Sequence, residues 1–209
     1  MIPAAKFNPY RRPGSLPFVQ VRVVADGRRR RGEQRRNALL LATLAVIERD
    51  GVAGVSHRAV AAEADVSVAS TTYHFATLDD LLVAALGSAA EDLAAELDGR
   101  ASELGARPAD ELARLIEHNA VRRRGRTLAL YELYLYAGRR PELRPAARAW
   151  LEPLTEIARA LTTDRQRARL LVAAIDGLLM QALIGAHQID RADLAALLEP
   201  HLRPKDGGL

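Results

Sequence analysis

Between Ser56 and Phe75 the chain reads SHRAVAAEADVSVASTTYHF, and no other stretch limits the possible folds as tightly. Ser56 and Ser67 each stand directly before a short run of helix formers, where a hydroxyl accepts a hydrogen bond from a free amide of the first turn. Asp65 and Val66 fall between the two runs. The pattern predicts two short helices, residues 57–64 and 68–74, joined by a tight turn. Ala59, Val60 and Ala62 give the first an apolar face, and Val66 anchors the turn. The second keeps a face of small side chains free. Upstream lies RRRRGEQRR, Arg28 to Arg36. A slim helix close in sequence to a cluster of positive charge suits the reading of duplex DNA.

Charge is spread unevenly. The chain is +4 overall, yet residues 1–36 hold ten Lys and Arg against only Asp26 and Glu33, so the remainder is net negative. A basic end of this kind suits an arm that contacts phosphates. Arg28, Arg29, Arg30 and Arg31 are the expected contacts, with an attraction that weakens as salt rises. The residues before them are read either as part of that arm or as a solvated tail.

Apolar residues make up 49% of the chain, mostly Ala and Leu, and aromatics only 4%. This composition predicts an all-α protein of one or two compact domains. Cysteine is absent, which excludes disulfides and thiolate metal sites. No apolar run reaches the roughly 18 residues of a membrane span, and the N-terminus lacks the apolar core of a secretory signal. A cytoplasmic protein with no membrane partner is expected.

Residues 1–27 contain prolines and few helix formers and are read as poorly ordered, with FVQVRVV as a strand lacking an evident partner. The first helix is expected over residues 33–49, with Ala38, Leu41, Leu44, Ala45 and Ile47 as its apolar face. Gly51 suits a left-handed position after it. Thr77-Leu-Asp-Asp80 has capping-box spacing and opens a helix that runs to Leu104. Further helices are expected over residues 108–122, 125–137, from Glu142 onward with a kink at Pro153, over 164–186, and over 191–198.

A first helix ending in ERDGVAGVS, then RAVAAEADVS, then STTYHFATLDDLL, runs without a gap from about Arg35 to Leu82. This stretch resembles the DNA-binding domain of the tetracycline-repressor-like (TetR) family. The resemblance implies residues 28–82 as an N-terminal three-helix helix-turn-helix domain and residues 83–209 as a C-terminal helical domain for dimerisation and ligand binding. It implies a homodimeric, ligand-responsive repressor of a palindromic operator, with double-stranded DNA, a second copy and a small-molecule effector as partners and no cofactor.

Some positions depart from the family pattern. Asp65 stands where glycine is usual, Val68 replaces a common polar or basic residue, Thr72 stands where tyrosine often contacts phosphate, and Leu78 replaces a frequent lysine. Carried over by position, Arg58 reaches a base edge or a nearby phosphate, with a surface ion pair as the alternative. Ser67, Val68, Ala69, Ser70 and Thr72 face the groove, where Val68 and Ala69 suit a thymine methyl group. Tyr73, His74 and Thr77 approach phosphates. Thr71 packs inward as readily as it faces the groove, and Phe75 is read as a core anchor.

For the C-terminal half the resemblance places the dimer interface on the last two long helices. Ala173, Ala174, Gly177, Leu178, Gln181, Ala182 and Gly185 are the expected interface residues, although a buried internal helix would show the same periodicity. His118, Tyr134, Trp150 and Met180 are the expected lining of a ligand pocket, against the plainer reading that such aromatics are core. RRRGR, Arg122 to Arg126, reads as a solvated helix end or as a site for an acidic effector. No nucleophile has an activating context, no glycine-rich phosphate loop occurs, and the five histidines lack metal-site spacing, so an enzyme is not expected. A helical adaptor that binds protein rather than DNA is the rival reading.

Overall fold

The computed structural model describes residues 18–162, 164–186 and 189–202, with side chains from Gly27 onward except that of Arg28. The chain divides into two units, Met1–Asn37 and Ala38–Leu209. Among the described residues there are ten α-helices and no strand. Helix α1 (Phe18–Asp50) starts fifteen residues before the expected Glu33, so FVQVRVV is helical and not a strand. Gly27 and Gly32 do not stop it, and Arg29 pairs with Glu33 one turn on at 3.0 Å. The expected disorder of residues 1–17 lies outside the described residues.

In the second unit, α1 buries Leu39, Leu40, Ala42, Thr43, Val46 and Ile47 as well as Leu44. Leu41 and Ala38, expected on the inner face, are exposed. ALLLATLAVI is apolar around most of the cylinder, so periodicity alone does not choose a face. Gly51 follows α1 at φ 74° and ψ 172°, beyond the left-handed helical region and open essentially to glycine alone. A 3₁₀ turn, Val52–Gly54, leads to α2 (His57–Glu63), whose Ser56 cap accepts from the Ala59 amide at 3.1 Å.

The turn that follows is a Schellman motif. Asp65 N–H bonds to Ala62 O and Val66 N–H to Ala61 O, at 3.3 and 2.9 Å. Asp65 holds the left-handed position at φ 51°, the role glycine usually takes. Val66 then packs against the core. Helix α3 (Val68–His74) is capped by Ser67, and Phe75 ends it with a buried ring. Helix α4 (Leu78–Gly99) opens on the expected capping box, Thr77 and Asp80 each bonding the other's backbone amide.

Helix α4 stops at Gly99, short of Leu104, because Arg100 leaves helical geometry and its guanidinium ties Glu96 to the buried Glu111. Helices α5 (Ala101–Ala106) and α6 (Pro108–Glu117) follow, with Pro108 in the first turn of α6. The helix expected to reach Arg122 changes to a π turn at His118–Arg122, and α7 (Arg124–Tyr136) restarts from it. Helix α8 (Arg144–Leu161), preceded by a 3₁₀ turn at Pro141–Leu143, continues through Pro153. Helix α9 (Arg165–Leu183) ends in a second Schellman motif with Gly185 at φ 71°, and α10 (Arg191–Leu198) has the expected bounds.

Two apolar clusters form. One joins α1 from Leu39 on, α2, Phe75, the first half of α4, α7 and the start of α8. The other joins α5, α6, the end of α8, α9 and α10. Leu179 packs against both. The helix pair α4 and α8 thus carries the core from the N-terminal helices into the C-terminal ones.

Candidate functional site

Helix α3 divides into an inner and an outer side. Thr71 is fully buried and Phe75 is 4% exposed, which fixes the helix on the core. Val68 is 44% and Tyr73 83% exposed, Ala69 and Thr72 are exposed, and Ser70 and His74 are half-buried. A methyl-bearing, hydroxyl-bearing and phenolic face therefore meets solvent on a helix only seven residues long. The Thr72 hydroxyl bonds back to Val68 O and Ala69 O, at 3.3 and 3.2 Å, and is thereby held against its own helix. Ser67 and Thr77 each accept one amide hydrogen bond as a helix cap, and their hydroxyl protons stay available as donors. Arg58 on α2 is exposed and makes no ion pair among the described residues. In the other unit, Arg29, Arg30 and Arg31 are exposed, while the side chain of Arg28 lies outside the described residues.

A partly enclosed cavity of about 90 Å³ lies where the two apolar clusters meet. Leu93 of α4, Ile116 of α6, Leu130 of α7, Leu151 of α8 and Ile175 of α9 supply apolar walls. Trp150 adds an aromatic wall, held edge-on by Tyr131 at 5.4 Å between ring centres and flanked by Tyr134 at 5.4 Å. The Tyr131 hydroxyl donates to Asp176 Oδ1 at 2.9 Å. Burial pushes the Asp176 carboxyl above its ordinary range, and the Tyr131 hydrogen bond partly opposes this. Burial, then the neighbouring Asp176, pushes the Tyr131 phenol higher still, so Tyr131 keeps its proton at neutral pH.

The edge of the cavity carries two ion pairs. Arg123 reaches Glu96 at 2.9 Å and Arg126 reaches Asp92, so both arginines cross to α4. Arg124 donates to the Leu183 carbonyl at the end of α9. These cations tie helices together, and the reading of RRRGR as a solvated end does not describe them. The π turn beneath them lets Thr127 Oγ1 share its proton between Asn119 O and Arg123 O, each at 2.9 Å.

Two family profiles match the chain: the tetR family of bacterial regulatory proteins over residues 39–85, and the tetracyclin repressor-like C-terminal domain over residues 104–204. Among solved structures, a member of the TetR family from Streptomyces coelicolor A3 (SCO1917) is 42% identical, with a TM-score of 0.73 over 81% of this chain and 99% of that one. The chain belongs to the TetR family. The multidrug binding protein EbrR complexed with ethidium is also 42% identical, with a TM-score of 0.72 over 81% of this chain and 99% of its own. The same protein complexed with proflavin matches at 42% and a TM-score of 0.65, over 80% and 99% of the two chains. No curated protein matches.

As a TetR-family member the protein is a DNA-binding transcriptional regulator and not an enzyme. Among the described residues no helix is long and apolar enough to cross a membrane.

Of the expected pocket residues in this TetR-family fold, Trp150 lines the cavity, whereas His118, Tyr134 and Met180 are not among its lining residues. Tyr134 stands behind Trp150, His118 opens the π turn, and Met180 lies on a shallow groove with Ile47, Leu135 and Ile184. Tyr131 and Asp176 stand outside the expected pocket set, because nothing in the sequence pairs two residues 45 positions apart.

On α9 an exposed stripe runs through Leu170, Ala173, Met180, Gln181 and Ile184, with the half-buried Gly177 in its middle. It takes in Ala173, Gly177 and Gln181 from the expected interface. Ala174, Leu178 and Ala182 are half-buried, and Ala174 and Leu178 pack on this protomer's own core. Gly185 is exposed and serves the end of the helix.

Proposed function

We propose that this regulator is a repressor that binds a palindromic operator as a homodimer and leaves it when a small molecule occupies the cavity. The exposed face of α3 supports base contact, with Val68 and Ala69 toward thymine methyl groups and Ser70 and Thr72 toward base edges or backbone. Tyr73, His74, Ser67 and Thr77 stand at the ends of this face and suit phosphates. The exposed cations of the arginine run add a sequence-independent attraction. Two such helices about 34–36 Å apart would match successive major grooves. Arg58, which pairs with no carboxylate among the described residues, is the candidate base reader. Arg58→Ala weakens operator binding by about 1–3 kcal/mol and leaves random-duplex binding unchanged, as read by fluorescence anisotropy. An equal loss on both duplexes marks it as a phosphate contact instead.

One observation carries the ligand-responsive part. Consecutive residues of α7 serve the cavity and the DNA-reading helices: Tyr131 lines the cavity, and Glu132 Oε1 accepts the Val52 amide at 2.7 Å, just after α1. A Cβ at Gly51 would meet that same carboxylate oxygen at 3.0 Å, so the two elements are in close contact. A second tie joins Arg140 to Asp79 at the start of α4, at 2.6 Å. Movement of α7 by a ligand therefore reaches the base of the DNA-reading helices.

The effect of a ligand is a difference in affinity between two shapes, typically worth about 5–150-fold in operator binding. Glu132→Ala keeps ligand binding within about twofold while the ligand's effect on operator affinity collapses toward none. Anisotropy titrations on promoter DNA from beside the gene, with and without ligand, measure both. A ligand effect undiminished in this variant removes the route through α7.

A further inference from the structure

We infer that the effector is an aromatic cation and that Asp176 in the cavity is its counter-charge. This rests on the reading of the cavity as the effector site. The lining holds three carboxylates, Asp92, Glu96 and Asp176, against two cations, Arg123 and Arg126. Both arginines are already matched, to Asp92 and Glu96. Asp176 has only a neutral partner, the Tyr131 hydroxyl, and no cation among the described residues. A half-buried carboxylate without a counter-ion is costly, and a ligand that brings positive charge removes that cost. The raised pKa of Asp176 reports the same unmatched environment.

The walls select the rest of the ligand. Trp150 is fixed between two tyrosines, so its ring is set in place before a ligand arrives. A flat cation stacked on an indole gains from the ring quadrupole as well as from apolar contact. Aliphatic side chains from five helices supply the rest of the walls and favour a ligand with an apolar ring system. At about 90 Å³ the cavity is smaller than the about 150 Å³ void that takes up benzene, so a ligand of two or three rings has to part the surrounding helices. Entry of the cation is thereby also a change of shape.

The test uses the full-length protein without DNA and two flat tricyclic dyes, proflavin, a cation at neutral pH, and acridine, uncharged there. Fluorescence titration gives proflavin binding about tenfold or more tighter than acridine in the wild type. Asp176→Asn keeps an oxygen for the Tyr131 hydroxyl but loses the charge, and it reduces that preference to about twofold or less by weakening proflavin alone. Asp176→Glu retains the preference, which separates charge from packing, and thermal melts of both variants report the fold. Equal binding of the two dyes, binding of neither, or an unchanged preference in Asp176→Asn overturns the inference. An Asp176-dependent preference for proflavin, together with a separate anisotropy titration in which proflavin leaves binding to promoter DNA unchanged, upholds it and overturns instead the reading that a filled cavity releases DNA.

Discussion

Replacing Phe75 by Ala destabilises the DNA-reading helices by about 3–5 kcal/mol, the usual cost of deleting a buried aromatic ring. Phe75 is 4% exposed and lies in the cluster that holds Leu39, Val46, Val60 and Leu81. It caps the C-terminal end of α3, and its amide bonds to Thr71 O at 2.9 Å. Removing the ring frees the inner side of a helix of seven residues, which has no stability of its own. For a chain of this size that loss lowers the melting temperature by about 6–20 °C, and operator binding falls with it at temperatures near the new midpoint.

The contrast is two residues away. Tyr73 is 83% exposed, so Tyr73→Ala leaves stability within about 0.5 kcal/mol and acts only on DNA affinity. Scanning calorimetry beside DNA binding separates the two variants. A Phe75→Ala protein that melts with the wild type and loses only DNA binding would mean that the ring reads DNA and is not a core anchor.

What the sequence made legible is the local chemistry of helix ends. Ser56, Ser67 and Thr77 each take the cap position expected of them, and Asp65 takes the left-handed turn. A short hydroxyl or carboxylate acts on amides two or three residues away, so its meaning is contained in a window of five residues. The bounds of α3 and α10 follow for the same reason.

The inner face of α1 was not legible, because nearly every position from Ala38 to Ile47 is apolar. The choice falls to packing, which buries Leu40 and leaves Leu41 outside. The ends of α4 and α6 fall short of the sequence expectation where long-range partners act. Arg100 leaves the helix while bonding Glu111, and the π turn is held by Thr127 and Asn119.

The cavity was the least legible feature. Its polar pair joins Tyr131 to Asp176, and its edge joins α4 to Arg123 and Arg126, contacts that only the folded chain creates. Trp150 was recoverable because a single tryptophan in an aromatic-poor chain invites attention. Asp176 stands in a run of aliphatics, IDGLLM, and one aspartate among core residues is itself a signal of a polar site.

Gly177→Arg converts the regulator into a monomer and lowers operator affinity by about 10²–10⁴-fold, the scale set by losing the second of two linked contacts. The stripe along α9 and its C-cap holds Leu170 at 50%, Met180 at 42% and Ile184 at 77% exposure, a run of apolar side chains at helical spacing left open by the described residues. A second copy related by a two-fold axis presents the same stripe and can cover it. Gly177 stands in the middle of that stripe, and a Cβ placed on it meets nothing within 4 Å of its own chain. The arginine is therefore accommodated by the protomer and excluded from an interface. Gly177→Ala is the control: it adds helix propensity worth about 1 kcal/mol and leaves a small surface for close approach. Sedimentation velocity separates the outcomes, with the Ala variant dimeric and the Arg variant monomeric and equally well folded by circular dichroism. A dimeric Arg variant with intact operator affinity would remove α9 from the proposed interface.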